Sequence, residues 1–301
     1  GRRRRRGVAV GDEEPPSALR GPRRRRGVAV GDEGDEGIAP LTDVGFETVQ
    51  ELIDGGPAEW QRVEDVAPGL SPQWKLDEVV LAAPIPRPSR NVFAVGANYR
   101  EHWDEGVRPG DSDAPDDPLF FTKPWTSLTG HGSDVFLDRK ATNTVDWEAE
   151  VGIIIGRRGR NIDPADAYDY VFGYVLSNDL SARELQLDYK VYDQWFKGKS
   201  LDGFCPIGPY IVTAPDVADP EDIQVELTVN GVQKQKFVTS SMIHDIPAVL
   251  ARLSLGMDLL PGDIVLTGTA SGVGHWRKPP EFLGHDDVVE MTSNVLGTLR
   301  F

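Results

Sequence analysis

Cysteine is almost missing from this chain: Cys205 stands alone among 301 residues. One thiol forms no internal disulfide and builds no thiolate zinc site by itself. Histidine is scarce as well, limited to His102, His131, His244, His275 and His285, with no H-E-x-x-H spacing among them. A zincin-type centre is therefore not expected, and any metal must rest on oxygen or imidazole ligands. No apolar run approaches the ~18 residues of a membrane span. The start of the chain lacks the apolar stretch of a secretory signal, so a cytoplasmic location is expected.

What is abundant is negative charge, unevenly placed. The net charge is −16, yet residues 1–26 hold ten arginines against three acids and stand at +7. The remaining 22 basic and 45 acidic residues give −23. Such a body repels a phosphate backbone, so nucleic acid is not an expected partner of the folded part. Hydrophobic residues make up 39%, enough for one large domain or a large one with a small companion.

Residues 3–13 and 23–33 repeat the same eleven letters, RRRRGVAVGDE. Two copies are too few to stack as a solenoid. The reading is an Arg-rich disordered extension over 1–26, with a solvated arm preferred to an anion-binding one. A small N-terminal module follows over 27–85, and a catalytic domain over 86–301. In the module, 27–30 and 37–41 flank an acidic turn as a hairpin, and 43–54 repeat at helical spacing up to Gly55-Gly56. The proline-rich 82–88 marks the boundary. Beyond it, strands are expected over 147–155, 170–178, 207–213 and 263–269. A hairpin is expected around Asn230-Gly231, and short helices over 99–105, 181–188 and 245–255. The plan is α+β and predominantly β.

Four groups carry chemistry. In Trp147-Glu148-Ala149-Glu150, the two acids sit at i and i+2 of a strand and share a face. Such a pair is ordinarily solvated, but this one runs into Ile153-Ile154-Ile155, and acids entering a buried strand need a cation between them. Asp179, at the end of another apolar strand, offers a third carboxylate, although Asp179 or Ser181 also suits a helix cap. Three carboxylates suit Mg²⁺ or Mn²⁺, with Ca²⁺ admissible. His102 and Glu105 stand three apart on one helical face, a carboxylate orienting an imidazole as a general base requires. Lys199 sits among small residues, placed to neutralise a substrate carboxylate. The loop Thr267-Gly268-Thr269-Ala270-Ser271-Gly272-Val273-Gly274 lacks the marks of a phosphate or dinucleotide loop, so no nucleotide cofactor is expected.

Taken in order, N-Y-x-x-H-x-x-E, E-x-E, D-x-S-A-R-E-x-Q, G-K-S-x-D-x-F-C-P-x-G-P and T-G-T-x-x-G-V-G resemble the fumarylacetoacetate hydrolase family over roughly 90–301. Arg277-Lys278-Pro279-Pro280 is similar to one branch of it, that of acylpyruvate hydrolases and hydroxyhepta-diene-dioate isomerases. The resemblance implies a mixed β-sandwich roll, usually dimeric. It implies Glu148, Glu150 and Asp179 as metal ligands, His102 and Glu105 as a catalytic dyad on a lid, and Lys199 as the active-site lysine. Lys123, Arg183, Gln186 and Thr269 fall at substrate-binding positions. Ala270 departs from the family's usual proline.

The activity expected first is metal-dependent hydrolysis of a C–C bond in a 2,4-dioxo acid of the acylpyruvate type, with His102 and Glu105 activating water. The alternative on the same site is oxaloacetate decarboxylation or tautomerisation, or isomerisation of a hydroxyhepta-diene-dioate. A second alternative is a non-catalytic binding protein for an oxo acid, which the retained base pair argues against. The expected partners are a small 2-oxo or 2,4-dioxo acid and a second copy of the chain.

Overall fold

The computed structural model describes residues 7–9, 27–30, 37–75, 79–107, 116–187 and 193–301. Both arginine runs of the repeat, 2–6 and 23–26, fall outside the described residues, as does the acidic turn 31–36. The chain is α+β and mostly sheet, as its sequence implies. The larger sheet runs in the order Trp74–Lys75, Gly37–Pro40, Gly27–Val30, Gly7–Ala9, Cys205–Thr213, Val171–Asn178, Ala149–Ile155, Ile264–Leu266, Val92–Gly96 and Leu119–Lys123. Neighbours are antiparallel, except that Ile264–Leu266 lies parallel to Val92–Gly96. Leu128–Thr129 also joins Cys205–Thr213 in parallel. A second, antiparallel sheet orders Val232–Val238, Gln224–Val229, Val289–Ser293 and Gly297–Arg300.

The strand Ala149–Ile155 is buried throughout because both of its faces are covered. Val151, Ile153 and Ile155 join Leu176 and Val212 in one core with Val225, Leu227, Met291 and Leu299 of the second sheet. Ile154 belongs to the other core, with Val175 and Ile211 under Leu52, Ile53 and Val63 of the helices Val49–Asp54 and Gly56–Val66. Period-two alternation thus places Glu150 on the helix-covered face, next to Gly152 and Ile154. Each such aliphatic side chain contributes about 1.5–3 kcal/mol on burial.

The expected hairpins are present. Asn230 and Gly231 adopt φ of 51° and 75°, the two left-handed positions of a type I′ turn. Val28 lies opposite Ala39 in the N-terminal hairpin. Gly7–Ala9, inside the expected extension, also forms a strand, with Val8 opposite both Val28 and Ile211. The two copies of Gly-Val-Ala pair with each other, so strands before and after the proline-rich segment share one sheet. The Gly55-Gly56 stop is only a corner. Thr48 caps Val49–Asp54, and Gly56, at φ 75°, turns the chain directly into the next helix, which Pro57 opens. Asp245 caps Ile246–Leu253 by accepting from the Ala248 amide at 2.8 Å.

Replacing Ile153 by Ala should lower unfolding free energy by about 2–5 kcal/mol, because the vacated space lies between two packed sheets. Urea denaturation of the purified chain checks this.

Candidate active site

The pairing of Val171–Asn178 with Ala149–Ile155 sets Ser177 opposite Glu150 and Asn178 opposite Ala149. Just past the ladder, the Asp179 amide donates to the Glu148 carbonyl at 2.8 Å, and the Asn178 side chain accepts from the Glu148 amide at 3.1 Å. This register gathers Glu148, Glu150 and Asp179. One carboxylate oxygen from each lies within 4.8 Å of the others, and all three residues are buried. An all-oxygen set of this kind can hold a hard divalent cation.

Cations surround the acids. Lys199, on the short helix Trp195–Lys199, donates to Glu148 Oε2 and Asp179 Oδ2, both at 2.6 Å, and to Ser181 Oγ at 2.9 Å. Lys123, fully buried, donates to Asp179 Oδ1 at 2.5 Å. Arg183 reaches Glu148 Oε1 at 2.7 Å, Asp146 Oδ2 at 2.8 Å and Gln186 Oε1 at 2.9 Å. Gly198 lets the lysine helix approach, since a Cβ there would lie 2.5 Å from the Cβ of Gln186 and 2.7 Å from its Cα. Asp179 is held by lysines and caps no helix, while Ser181 Oγ donates to the Asp179 carbonyl.

Glu150 is different. Among the described residues it forms no ion pair with lysine or arginine, and its Oε2 accepts only the Gly268 amide, at 2.7 Å. Burial, with Asp179 and Glu148 adding repulsion, pushes its carboxyl well above the ordinary range. Burial also works against ionised Glu148, but Lys199 and Arg183 outweigh it and bring that group down to about 2. Burial opposes the Lys199 ammonium, yet Asp179 and Glu148 more than compensate, and its pKa rises. The surrounding acids thus favour the charged form of Lys199, and the burial and repulsion at Glu150 favour its neutral form.

His102 and Glu105 lie on the turn formed by Arg100–His102 and Trp103–Val107. His102 Nδ1 is 3.3 Å from Glu105 Oε2, and the Gly272 amide donates to Glu105 Oε1 at 2.9 Å. His102 is 5% exposed, and a positive charge on it would be felt at Glu148. His102 therefore lies near Glu148. Thr269 Oγ donates to the Ala149 carbonyl and accepts from Gln235, both at 2.9 Å, which ties the loop to the E-x-E strand. The four expected substrate-binding residues, Lys123, Arg183, Gln186 and Thr269, are all at the site, with polar atoms engaged on protein groups.

Three further residues build the site beyond those singled out from sequence. Asp146 accepts from Arg183, from the Gly274 amide at 2.6 Å and from the His275 amide at 2.9 Å. Its signal was the same alternation that joins Glu148 to Glu150, extended two residues back. Asn98 donates to the Thr267 and His244 carbonyls and accepts from the His244 amide, each at 2.9 Å. Gln235 donates to Ala270 and accepts from Ala149. It is a polar residue two positions before Phe237, on the inward-facing register of its strand.

The family model described as fumarylacetoacetate (FAA) hydrolase C-terminal matches residues 91–301. The chain is 43% identical over 242 residues to the oxaloacetate tautomerase YisK of Bacillus subtilis (strain 168), covering 80% of this chain and 78% of that one. The fumarylacetoacetate hydrolase EaFAH of Exiguobacterium antarcticum is similar in structure, with a TM-score of 0.75 at 34% identity over 98% of this chain and 97% of that one. A 2-hydroxyhepta-2,4-diene-1,7-dioate isomerase of Mycobacterium marinum gives a TM-score of 0.70 at 30% identity over 99% and 97%.

Substituting Lys123 with Met should destabilise the fold by about 3–5 kcal/mol, since buried Asp179 loses one of its two counter-ions. Chemical unfolding at neutral pH reads this.

Proposed function

The chain belongs to the fumarylacetoacetate hydrolase family, and on that footing we propose that it is a divalent-metal-dependent enzyme moving a proton between the keto and enol forms of a small 2-oxo dicarboxylic acid of the oxaloacetate type. The observation that carries the reading is Glu150, a third buried carboxylate without a cationic partner, beside two whose charges are already met. It makes room for one more positive charge. The named activities of the relatives favour this reading, the alternative weighed from sequence, over the C–C hydrolysis expected first.

Glu148, Glu150 and Asp179 would hold Mg²⁺ or Mn²⁺. When bound, such an ion supplies Lewis acidity toward the 2-oxo and carboxylate oxygens of the substrate. His102, oriented by Glu105, takes the proton from C3. The electron pair of the broken C–H bond moves into the C2–C3 bond, and charge collects on the 2-oxo oxygen. Lys199, held charged by its two acids, stabilises that oxygen without giving up its own proton. The His102 imidazolium then gives that proton to the oxygen, which completes the enol and frees the base, and the reverse sequence regenerates the ketone. His102, Lys199 and the three acids are all buried, an environment that favours proton transfer over hydrolysis. A homodimer in the cytoplasm completes the proposal.

The test follows the ultraviolet absorbance of enol-oxaloacetate with Mg²⁺ or Mn²⁺, with and without chelator. The enzyme should accelerate its decay, and chelator, Glu148→Gln or Asp179→Asn should each abolish the acceleration. Undiminished activity in chelator, or faster turnover of acetylpyruvate than of oxaloacetate, would overturn the reading. Metal affinity should rise with pH: below the raised titration range of Glu150 a proton occupies the site, and above it the carboxylate is free. Calorimetry in buffers of different ionisation enthalpy should show protons released on ion binding, and fewer of them as pH rises through the titration range of Glu150.

A further inference from the structure

Among the described residues Glu150 receives a single hydrogen bond, and it comes from the peptide that joins Thr267 to Gly268. The loop carrying this peptide grips the E-x-E strand at three successive residues. Thr267 Oγ donates to the Val151 carbonyl at 2.9 Å, the Gly268 amide to Glu150 Oε2 at 2.7 Å, and Thr269 Oγ to the Ala149 carbonyl at 2.9 Å. The first and third contacts hold backbone, and only the second reaches a site acid. With no lysine or arginine paired to Glu150, the direction of its carboxylate rests on how that one peptide is turned.

The other side of the same peptide is held by Asn98. Its Nδ2 donates to the Thr267 carbonyl and to the His244 carbonyl, both at 2.9 Å, and its Oδ1 accepts the His244 amide at 2.9 Å. The Asn98 carbonyl accepts the Ile243 amide at 2.7 Å. Asn98 is thus fully buried and clamped to residues 243–244 by three bonds, a fixed post for the Thr267 carbonyl. Gly268 allows the close approach. It sits at φ 94°, and a Cβ there would lie 2.9 Å from Asn98 Cβ and 3.1 Å from the Val95 carbonyl oxygen. A hydrogen bond accepted by a peptide carbonyl polarises the N–H of that peptide, so the bond from Asn98 strengthens the one given to Glu150.

We propose that Asn98 is a positioning residue for the divalent ion: through the Thr267–Gly268 peptide it sets the direction of the Glu150 carboxylate, and with it the affinity for metal. This role rests on Glu148, Glu150 and Asp179 being the metal ligands, as proposed above. Glu148 and Asp179 are already held by Lys199, which binds both, so Glu150 is the ligand whose aim depends on a backbone amide. An aspartate at position 98 would keep the outline of the side chain and could still accept the His244 amide. It would have no N–H to donate, and would set a negative charge against two carbonyl oxygens. The peptide would then lose its fixed orientation, and Glu150 its one directed bond.

The chain contains two Thr-Gly pairs, Thr129-Gly130 and Thr267-Gly268. Labelling threonine carbonyls with ¹³C and glycine nitrogens with ¹⁵N in the full chain therefore gives two carbonyl-coupled amide signals, one from the peptide in question and one as internal control. In metal-free Asn98→Asp, the Thr267 carbonyl and Gly268 amide-proton signals should both move upfield as their hydrogen bonds weaken, while the Gly130 signal stays in place. Calorimetric Mn²⁺ affinity should fall about 10–100-fold, the usual cost of losing an outer partner of a metal ligand. Leu52→Ala, in the core beside Trp60 and Phe172, should lower the unfolding midpoint yet leave Mn²⁺ affinity unchanged. Unmoved Thr267–Gly268 signals, unchanged Mn²⁺ affinity in Asn98→Asp, or an equal loss of affinity in Leu52→Ala would overturn the proposal. Should Asn98→Asp fail to fold, Asn98→Ala with the same readouts decides, and unmoved signals there also refute it. If the wild type binds Mn²⁺ and the variants respond as stated, but no oxo acid is turned over, the proposed reaction fails while the role of Asn98 stands. A wild type that binds no Mn²⁺ overturns the metal reading and this role with it, a result distinct from a variant that binds as well as the wild type.

Discussion

Glu150 shares its enclosure with Glu148 and Asp179, and the nearby cations are already engaged elsewhere. Lys199 bridges the other two acids, Lys123 is held by Asp179, and Arg183 is divided between Asp146 and Glu148. Four buried carboxylates face three buried cations. An unpaired buried charge is costly, so the remaining acid must either keep a proton or meet a further cation. The rest of the centre follows from this constraint. It explains why the chemistry points to a divalent ion.

The same network separates two kinds of positive charge. Lys199 and Lys123 are fixed by the fold, whereas a divalent ion held at Glu150 under the proposed function would be exchangeable. A substrate with two carboxylates brings charge that fixed lysines alone, already neutralised, would not attract. An arginine in place of Lys199 would keep the sign but not the fit, because a planar fork cannot span Glu148, Asp179 and Ser181 from one point.

Most of the fold and the centre of the site were legible in the sequence because they rest on short-range regularities. The Asn230-Gly231 turn, the capping Asp245 and the apolar run after Glu150 each declare their structure locally. The nearness of His102 to Glu105 follows from their spacing of three along one turn. What sequence could not reveal were contacts made across the chain. Asp146 reads as an ordinary strand acid until folding brings Gly274 and Arg183 to it. Arg183 and Lys123 read as substrate-side groups, and only their partners show how firmly each is tied to a site acid. Gly55-Gly56 reads as an end because glycine breaks helices, yet left-handed Gly56 also lets a new one begin.

The amide that steadies Glu105 lies 167 residues further along the chain, and the one on Glu150 lies 118 residues further. Closing loops of that length delays such contacts during folding, since distant pairings must await the strands between them. As the polypeptide leaves the ribosome, its acids emerge well before the glycines that shield them. Competence is acquired only when the final strands are laid down, and a fragment ending short of the glycine loop would have the acids without the amides that steady them.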